Sequence, residues 1–286
     1  MNNLIEAKNT IEFLKEHGIS AKKRYGQNFL IDRRILDRII AGSEITKDDT
    51  VLEIGPGIGT MTQALCEAAG RVIAVEIDKD MIPILEENLS DYDNYSIINE
   101  DVLKLDLNKV MGEEKKRIKV AANLPYYITT PIITTLLEAR PRVKNMVFMV
   151  QYEVAERICA DRGRDAGAIS LFCRYFAEPE IIEKVPAASF YPPPKVDSAL
   201  LLLKMRKKPP VEVEDEAMLF KIIRASFAQR RKTLANALSG GLGMEKETLF
   251  GIFDSLGIDR NIRGEKLSLS DFADICNALC GTVSEN

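Results

Sequence analysis

Histidine is almost missing from this sequence: of 286 residues, only His17 is one. A catalytic triad built on histidine, or a metal centre with histidine ligands, is thereby excluded. His17 precedes Gly18 at the end of a helical pattern, where a C-cap is the ordinary role. Cysteine is scarce too, five residues without the close pairing of a secreted disulfide scaffold. Cys276 and Cys280 lie four apart on a helical pattern with no other ligand near them in sequence, so packing is expected there and no metal. No run approaches the ~18 apolar residues of a membrane span. The N-terminus lacks the basic-then-apolar pattern of a signal peptide. A cytoplasmic protein without membrane association is expected, and 286 residues suffice for one large domain plus a small one.

Positive charge is also short overall, with a net charge of −4, but its distribution is uneven. Residues 44–114 hold 17 Asp and Glu against 5 Lys and Arg, a local balance of −12 that leaves +8 for the remainder. Between Ala217 and Met244 there are five basic residues (Lys221, Arg224, Arg230, Arg231 and Lys232) and no acidic one. One region can therefore be a solvated acidic surface while another faces phosphates.

What is present is a series of strands that end in chemistry. Residues 2–17 and 32–41 have helical periodicity. Between them lies Lys22-Lys23-Arg24, a basic arm or a plain surface loop, followed by polar and aromatic residues. Val51-Leu52-Glu53-Ile54 is a buried strand running into Gly55-Pro56-Gly57-Ile58-Gly59, and a helix follows over 61–69. Gly55 and Gly57 let backbone approach a ligand, and the helix N-terminus offers free N–H groups. The spacing is G-x-G-x-G, without the third glycine of the dinucleotide fingerprint. A second strand, 71–76, ends at Glu76, whose carboxylate can accept from ribose hydroxyls. A third, 95–99, leads to Asp101, an acceptor for an adenine amino group. The fourth, 117–122, leads to Asn123-Leu124-Pro125-Tyr126. In an open parallel sheet these ends line one crevice.

That last motif offers two acceptors, the Asn123 amide oxygen and the Leu124 carbonyl, beside a flat ring, Tyr126. Pro125 fixes the turn and pushes Leu124 into an extended conformation. Such a set suits an exocyclic amine on a planar base. Further strands are expected at 145–151, 169–176 and 199–205. The stiff loop Ser189-Phe190-Tyr191-Pro192-Pro193-Pro194-Lys195-Val196-Asp197-Ser198 is expected to present Phe190 to the crevice. Arg206-Lys207-Lys208-Pro209-Pro210 reads as a boundary between a larger domain, 1–208, and a helical domain, 209–286. Helices are expected over 217–238, 248–256 and 268–279.

These motifs together resemble the small-subunit ribosomal RNA adenine N6,N6-dimethyltransferases. The matching stretches are Gly26-Gln27-Asn28-Phe29-Leu30, Glu53 to Gly59, Val75-Glu76-Ile77-Asp78, Asn123 to Tyr126 and Pro192 to Ser198. The resemblance implies a Rossmann-like α/β sheet of the S-adenosylmethionine-dependent kind, with a small C-terminal helical domain. It implies S-adenosylmethionine as cofactor, with Asn28, Leu30, Gly55, Glu76, Asp101 and Asn123 at the contacting positions beside Gly57 of the loop. It implies as acceptor two adjacent adenines in a 3′-terminal hairpin loop of 16S rRNA, within the small ribosomal subunit or its assembly intermediate, and a role in ribosome biogenesis. Asn123, Leu124, Pro125, Tyr126 and Phe190 then form the catalytic set. Lys22, Lys23, Arg24, Lys195, Arg224, Arg230, Arg231 and Lys232 are expected at the RNA, and the chain is expected to be a monomer.

Three other readings share parts of this pattern. The dimethyltransferases of large-subunit rRNA carry the same cofactor motifs, though the intact Pro-Pro-Pro-Lys-Val-Asp-Ser segment favours the small subunit. A non-catalytic RNA-binding factor on the same fold is opposed by the intact Asn123-Leu124-Pro125-Tyr126. A nicotinamide oxidoreductase is the fold-level alternative.

Overall fold

The computed structural model describes Leu4 and residues 7–18, 27–110, 117–138, 143–229 and 231–283. It divides into two compact units, Met1–Ala155 with Glu178–Met205, and Glu156–Ala177 with Arg206–Asn286. The second unit thus takes in a segment upstream of the boundary expected at 208/209.

The first unit is built on a seven-stranded sheet. In chain order its strands are β2 (Thr50–Ile54), β3 (Arg71–Glu76), β4 (Tyr95–Asn99), β5 (Ile118–Asn123), β6 (Val143–Gln151), β7 (Ala177–Val185) and β9 (Ser198–Met205). Their spatial order is β4-β3-β2-β5-β6-β9-β7. Pairs from β4 across to β6 are parallel, and β9 runs antiparallel to β6. β2, β3 and β5 are near-continuous apolar runs because both faces are covered. The strand order reverses between β2 and β5, so a crevice opens beyond their carboxyl ends.

Helices α2 (Arg33–Ser43) and α3 (Thr60–Ala68) pack Ile35, Leu36, Ile39, Met61 and Leu65 into one core with Val51, Val72 and Val147 of the sheet. Asp32 caps α2 by accepting the Arg34 N–H at 3.1 Å, a contact worth about 1 kcal/mol. The N-terminal helix α1 (Ala7–Glu16) ends as its sequence implies: His17 bonds the Phe13 carbonyl through Nδ1 at 3.0 Å, and Gly18 takes φ 60°. Among the described residues one cation is fully buried. Lys119 on β5 donates to Asp49 at 2.8 Å and to the Glu44 carbonyl.

Several segments differ from the sequence reading. A two-stranded ribbon pairs β1 (Phe29–Leu30) with β8 (Phe190–Tyr191), setting Leu30 opposite Phe190. After α3 come helices α4 (Ile82–Asn88), α5 (Leu107–Val110), α6 (Thr129–Glu138) and α7 (Tyr152–Cys159), and residues 169–176, expected as a strand, lie within the next helix, α8 (Ala168–Phe176), of the second unit. Its aromatic and β-branched residues favour strands locally, but tertiary packing overrides this. Phe172, Tyr175 and Phe176 surround Phe220 at centroid distances of 4.7, 5.1 and 5.5 Å. Phe220 belongs to α9 (Glu216–Ala228), capped by Asp215, and Tyr175 Oη donates to Glu216 at 3.0 Å.

The expected helix over 217–238 is two helices, α9 and α10 (Leu234–Leu242), because Thr233 caps a new start. Helices α11 (Lys246–Ser255) and α12 (Leu269–Val283) complete this unit. Ser268 and Asp271 exchange hydrogen bonds at the start of α12, and Cys276 is buried on it with its thiol pushed up to about 12 by burial. Among the described residues no helix is long and apolar enough to cross a membrane.

Candidate active site

The crevice lies wholly within the first unit. Its floor is the loop after β2. Gly55, Gly57 and Gly59 all have positive φ, at 69°, 58° and 94°. At Gly57 a Cβ would sit 3.2 Å from the Phe29 ring, and at Gly59 it would sit 2.8 Å from Leu85 Cδ1. The loop therefore needs glycine twice over, for backbone conformation and for space. It delivers the chain to the N-terminus of α3, where N–H groups are free for a ligand.

Glu76 ends β3 and ties this loop down. Its Oε2 accepts the Gly57 N–H at 3.1 Å and its Oε1 accepts the Asp78 N–H at 2.8 Å. Burial pushes its carboxyl above the ordinary range, against those backbone bonds, which stabilise the charged form. The Ile77 N–H is a third backbone partner of this carboxylate, and its remaining acceptor capacity suits a ligand hydroxyl. Asp101, beyond β4, accepts the Leu103 N–H at 3.0 Å and lines the same cavity.

At the end of β5, Asn123 donates from Nδ2 to the Asn28 carbonyl at 2.8 Å. A carbonyl can only accept, so this bond assigns the amide's orientation and leaves Oδ1 as its acceptor branch. The next residues form a braced turn. Leu124 N–H donates to the Met149 carbonyl at 3.1 Å, and the Pro125 carbonyl accepts from Ile128 N–H and Thr129 Oγ1, both at 3.2 Å. Tyr126 is half-buried with its hydroxyl 2.8 Å from Ser198 Oγ. Burial pushes that phenol above its ordinary range, and the bond to Ser198 opposes the shift.

The structure thus gathers Asn28, Leu30, Gly55, Gly57, Glu76, Asp101, Asn123, Leu124, Pro125 and Tyr126 around one cavity. Phe190 is a correction. Its pairing with Leu30 turns the ring into the core with Leu36 and Leu200, 2% exposed, and it is not among the cavity's lining residues. Lys195 is exposed on the loop after the three prolines, and Arg224, Arg231 and Lys232 are exposed in the second unit. Lys22, Lys23, Arg24 and Arg230 lie outside the described residues.

Several lining residues escaped sequence reasoning, among them Glu53, Ile77, Glu100 and Tyr127. Glu53 is the most informative. It sits inside β2, fully buried, and neither carboxylate oxygen has a hydrogen-bond partner among the described residues. Burial pushes its carboxyl up to about 8, opposed by the neighbouring Thr62 hydroxyl and reinforced by the Glu76 charge. A lone acid in an otherwise apolar strand, two residues before a glycine loop, was the available signal.

This sheet order and this ligand set define an S-adenosylmethionine-dependent methyltransferase. An orphaned buried acid suits a cationic ligand, Glu76 and Asp101 suit the hydroxyls and amine of an adenosine, and the glycine loop admits close approach. The chain belongs to the ribosomal RNA adenine dimethylase family, whose model matches residues 18–280. It is 52% identical over 285 residues to the ribosomal RNA small subunit methyltransferase A of Lachnoclostridium phytofermentans, with 98% of each chain covered. It is 45% identical over 283 residues to the protein of the same description from Alkaliphilus oremlandii, covering 98% of this chain and 99% of the other. Among solved structures, a dimethyladenosine transferase from Plasmodium falciparum superposes with a TM-score of 0.73 at 27% identity, covering 86% of this chain and 95% of that one. The 23S rRNA methyltransferase ErmE superposes at 0.68 and 26% identity, covering 88% and 100%. The protein is thus an enzyme that dimethylates adenine in ribosomal RNA, with S-adenosylmethionine as cofactor.

Proposed function

We propose that the acceptors are two adjacent adenines in a 3′-terminal hairpin loop of 16S rRNA, each converted to N6,N6-dimethyladenosine within the small ribosomal subunit or its assembly intermediate. Support comes from relatives described as small subunit methyltransferases at 45–52% identity over nearly the whole chain. In this reading the protein acts as a cytoplasmic monomer in ribosome biogenesis. Lys22, Lys23, Arg24, Lys195, Arg224, Arg230, Arg231 and Lys232 meet RNA phosphates.

The orientation of Asn123 carries the chemical part. An adenine N6 lone pair is delocalised into the ring and is a weak nucleophile. The cofactor supplies an electrophilic methyl group on a sulfonium. Asn123 Oδ1 and the Leu124 carbonyl accept the N6 hydrogens, aim the lone pair and favour a more pyramidal nitrogen. Tyr126 stacks on the base, worth ~1–3 kcal/mol. Asn28, Leu30, Gly55, Gly57, Glu76 and Asp101 would hold the cofactor, with the Glu53 carboxyl buried behind the glycine loop as a source of negative charge. Catalysis is positioning and electrostatics. The N6 proton is acidic once the nitrogen is alkylated and leaves to water, so no strong general base is required.

The test is transfer of labelled methyl from S-adenosylmethionine to unmodified small subunits, with naked large-subunit rRNA in parallel, followed by nucleoside analysis. Dimethyladenosine in small-subunit RNA alone is expected. Label confined to large-subunit RNA would overturn the proposed acceptor.

A further inference from the structure

We propose that Ser198 is a positioning residue for methyl transfer, acting by holding the Tyr126 ring. The inference rests on the reading of Tyr126 as the ring against which the acceptor base stacks.

The two side chains are 72 residues apart in sequence, and their hydroxyls meet at 2.8 Å. The Cα end of Tyr126 is fixed by the braced turn around Pro125, whose carbonyl accepts two hydrogen bonds. That turn does not fix the ring, which has two side-chain rotations of its own. A platform free to swing at the crevice wall loses that freedom when a base docks, and the loss weakens docking. A hydroxyl anchor at the far end removes the freedom beforehand.

Ser198 is suited to be that anchor because nothing around it is loose. It is fully buried at the first position of β9, opposite Gln151 of β6. The residue before it is held from three sides. The Asp197 carbonyl accepts the Tyr152 N–H at 3.0 Å, its Oδ1 accepts the Ala187 N–H at 3.1 Å, and its Oδ2 pairs with Lys184 at 3.1 Å. The sheet fixes the Ser198 backbone, its burial limits the side chain to one short rotation, and the bond between Oγ and the phenol holds the ring. This gives the Pro-Pro-Pro-Lys-Val-Asp-Ser segment a role other than presenting Phe190: its final residue clamps the catalytic turn.

The competing role for this bond is to satisfy two buried hydroxyls, which would show in stability and not in turnover. Ser198→Ala, Tyr126→Phe and the double variant separate the two. Turnover on unmodified small subunits, affinity for S-adenosylmethionine and melting temperature are measured for each. Each single variant is expected to lower kcat about 3- to 10-fold, the size of one hydrogen bond, with cofactor affinity unchanged. The double variant is expected to fall no further, because both changes remove the same bond. Wild-type kcat in Ser198→Ala, or losses that multiply in the double variant, would overturn the inference. If the wild-type protein itself makes no dimethyladenosine, the reading beneath it falls as well.

Discussion

Asn123 Nδ2 donates to the Asn28 carbonyl at 2.8 Å, joining the end of β5 to the residue before β1 across 95 positions of sequence. The bond does two things. It leaves the amide oxygen as the acceptor of a residue that lines the cavity, and it ties the end of β5 to the chain just before β1, whose Phe29 ring lies 3.2 Å from where a Cβ on Gly57 would sit. In the proposed reading, one side chain thereby joins the wall that holds the cofactor to the site of the acceptor amine.

Glu53 links the cavity to pH. Its carboxyl ionises near its ordinary 4.5 when unfolded and at about 8 when folded without ligand. The folded state then binds the extra proton between those values, so this group's contribution to stability falls as pH rises from 4.5 to 8. Glu53→Gln is expected to stabilise the cofactor-free protein at pH 8 by on the order of 1–3 kcal/mol, with little effect near pH 4. Its affinity for S-adenosylmethionine is expected to fall. Thermal melts at both pH values and calorimetric titration check both parts.

Glu76 holds the glycine loop and, in the proposed reading, binds the ribose of the cofactor. Glu76→Ala removes two charge-assisted bonds, to Gly57 and Asp78, together with the ligand contacts. Each such bond is worth about 1.5–3 kcal/mol, so cofactor affinity is expected to fall roughly 10- to 100-fold or more. Equal affinity in calorimetry would contradict the assignment.

Lys119, buried, and Asp49, partly buried, form a pair that the reaction does not use. Both Lys119→Ala and Lys119→Met leave Asp49 with its Thr46 bonds alone; Ala also opens a cavity, so it is expected to destabilise the first unit by on the order of 3 kcal/mol and Met by less. Burial works against the Asp49 charge, yet hydrogen bonds from Lys119 and Thr46 hold its carboxyl below the ordinary 3.8. Its contribution is therefore present above about that pH and lost as pH falls further. Urea denaturation of both variants at pH 7 and pH 3 measures this.

Basic residues of the second unit are read out by salt. Arg224→Ala, Arg231→Ala and Lys232→Ala are each expected to weaken RNA binding without changing cofactor affinity. Each lost phosphate contact lowers the slope of log affinity against log salt by about 0.7–0.9. An unchanged slope in all three would remove these residues from the RNA surface.

Much of the site was legible because it sits where strands stop. Gly55, Glu76, Asp101 and Asn123 each follow a short apolar run, and parallel strands bring such ends together. What was not legible depends on partners far away in sequence. Phe190 looked like a rim residue of a proline-rich loop, but Leu30, 160 positions earlier, pairs with it and turns it inward. Residues 169–176 carry strand-like composition and become helix because Phe220 supplies a surface for three aromatic rings. Glu53 was hidden inside an apolar strand, where a charge reads as an exception and not as a ligand. The Tyr126–Ser198 bond joins two motifs that sequence shows only as separate.

The most direct test of the Asn123 assignment compares Asn123→Ala with the wild type in single-turnover methylation and in RNA binding. The account predicts a loss of methyl transfer of at least about 100-fold, the scale of removing one aligned acceptor in a closed site, with RNA affinity within a few-fold of the wild type. Equal losses in both, or near-normal transfer, would contradict the role given to the Asn123 oxygen.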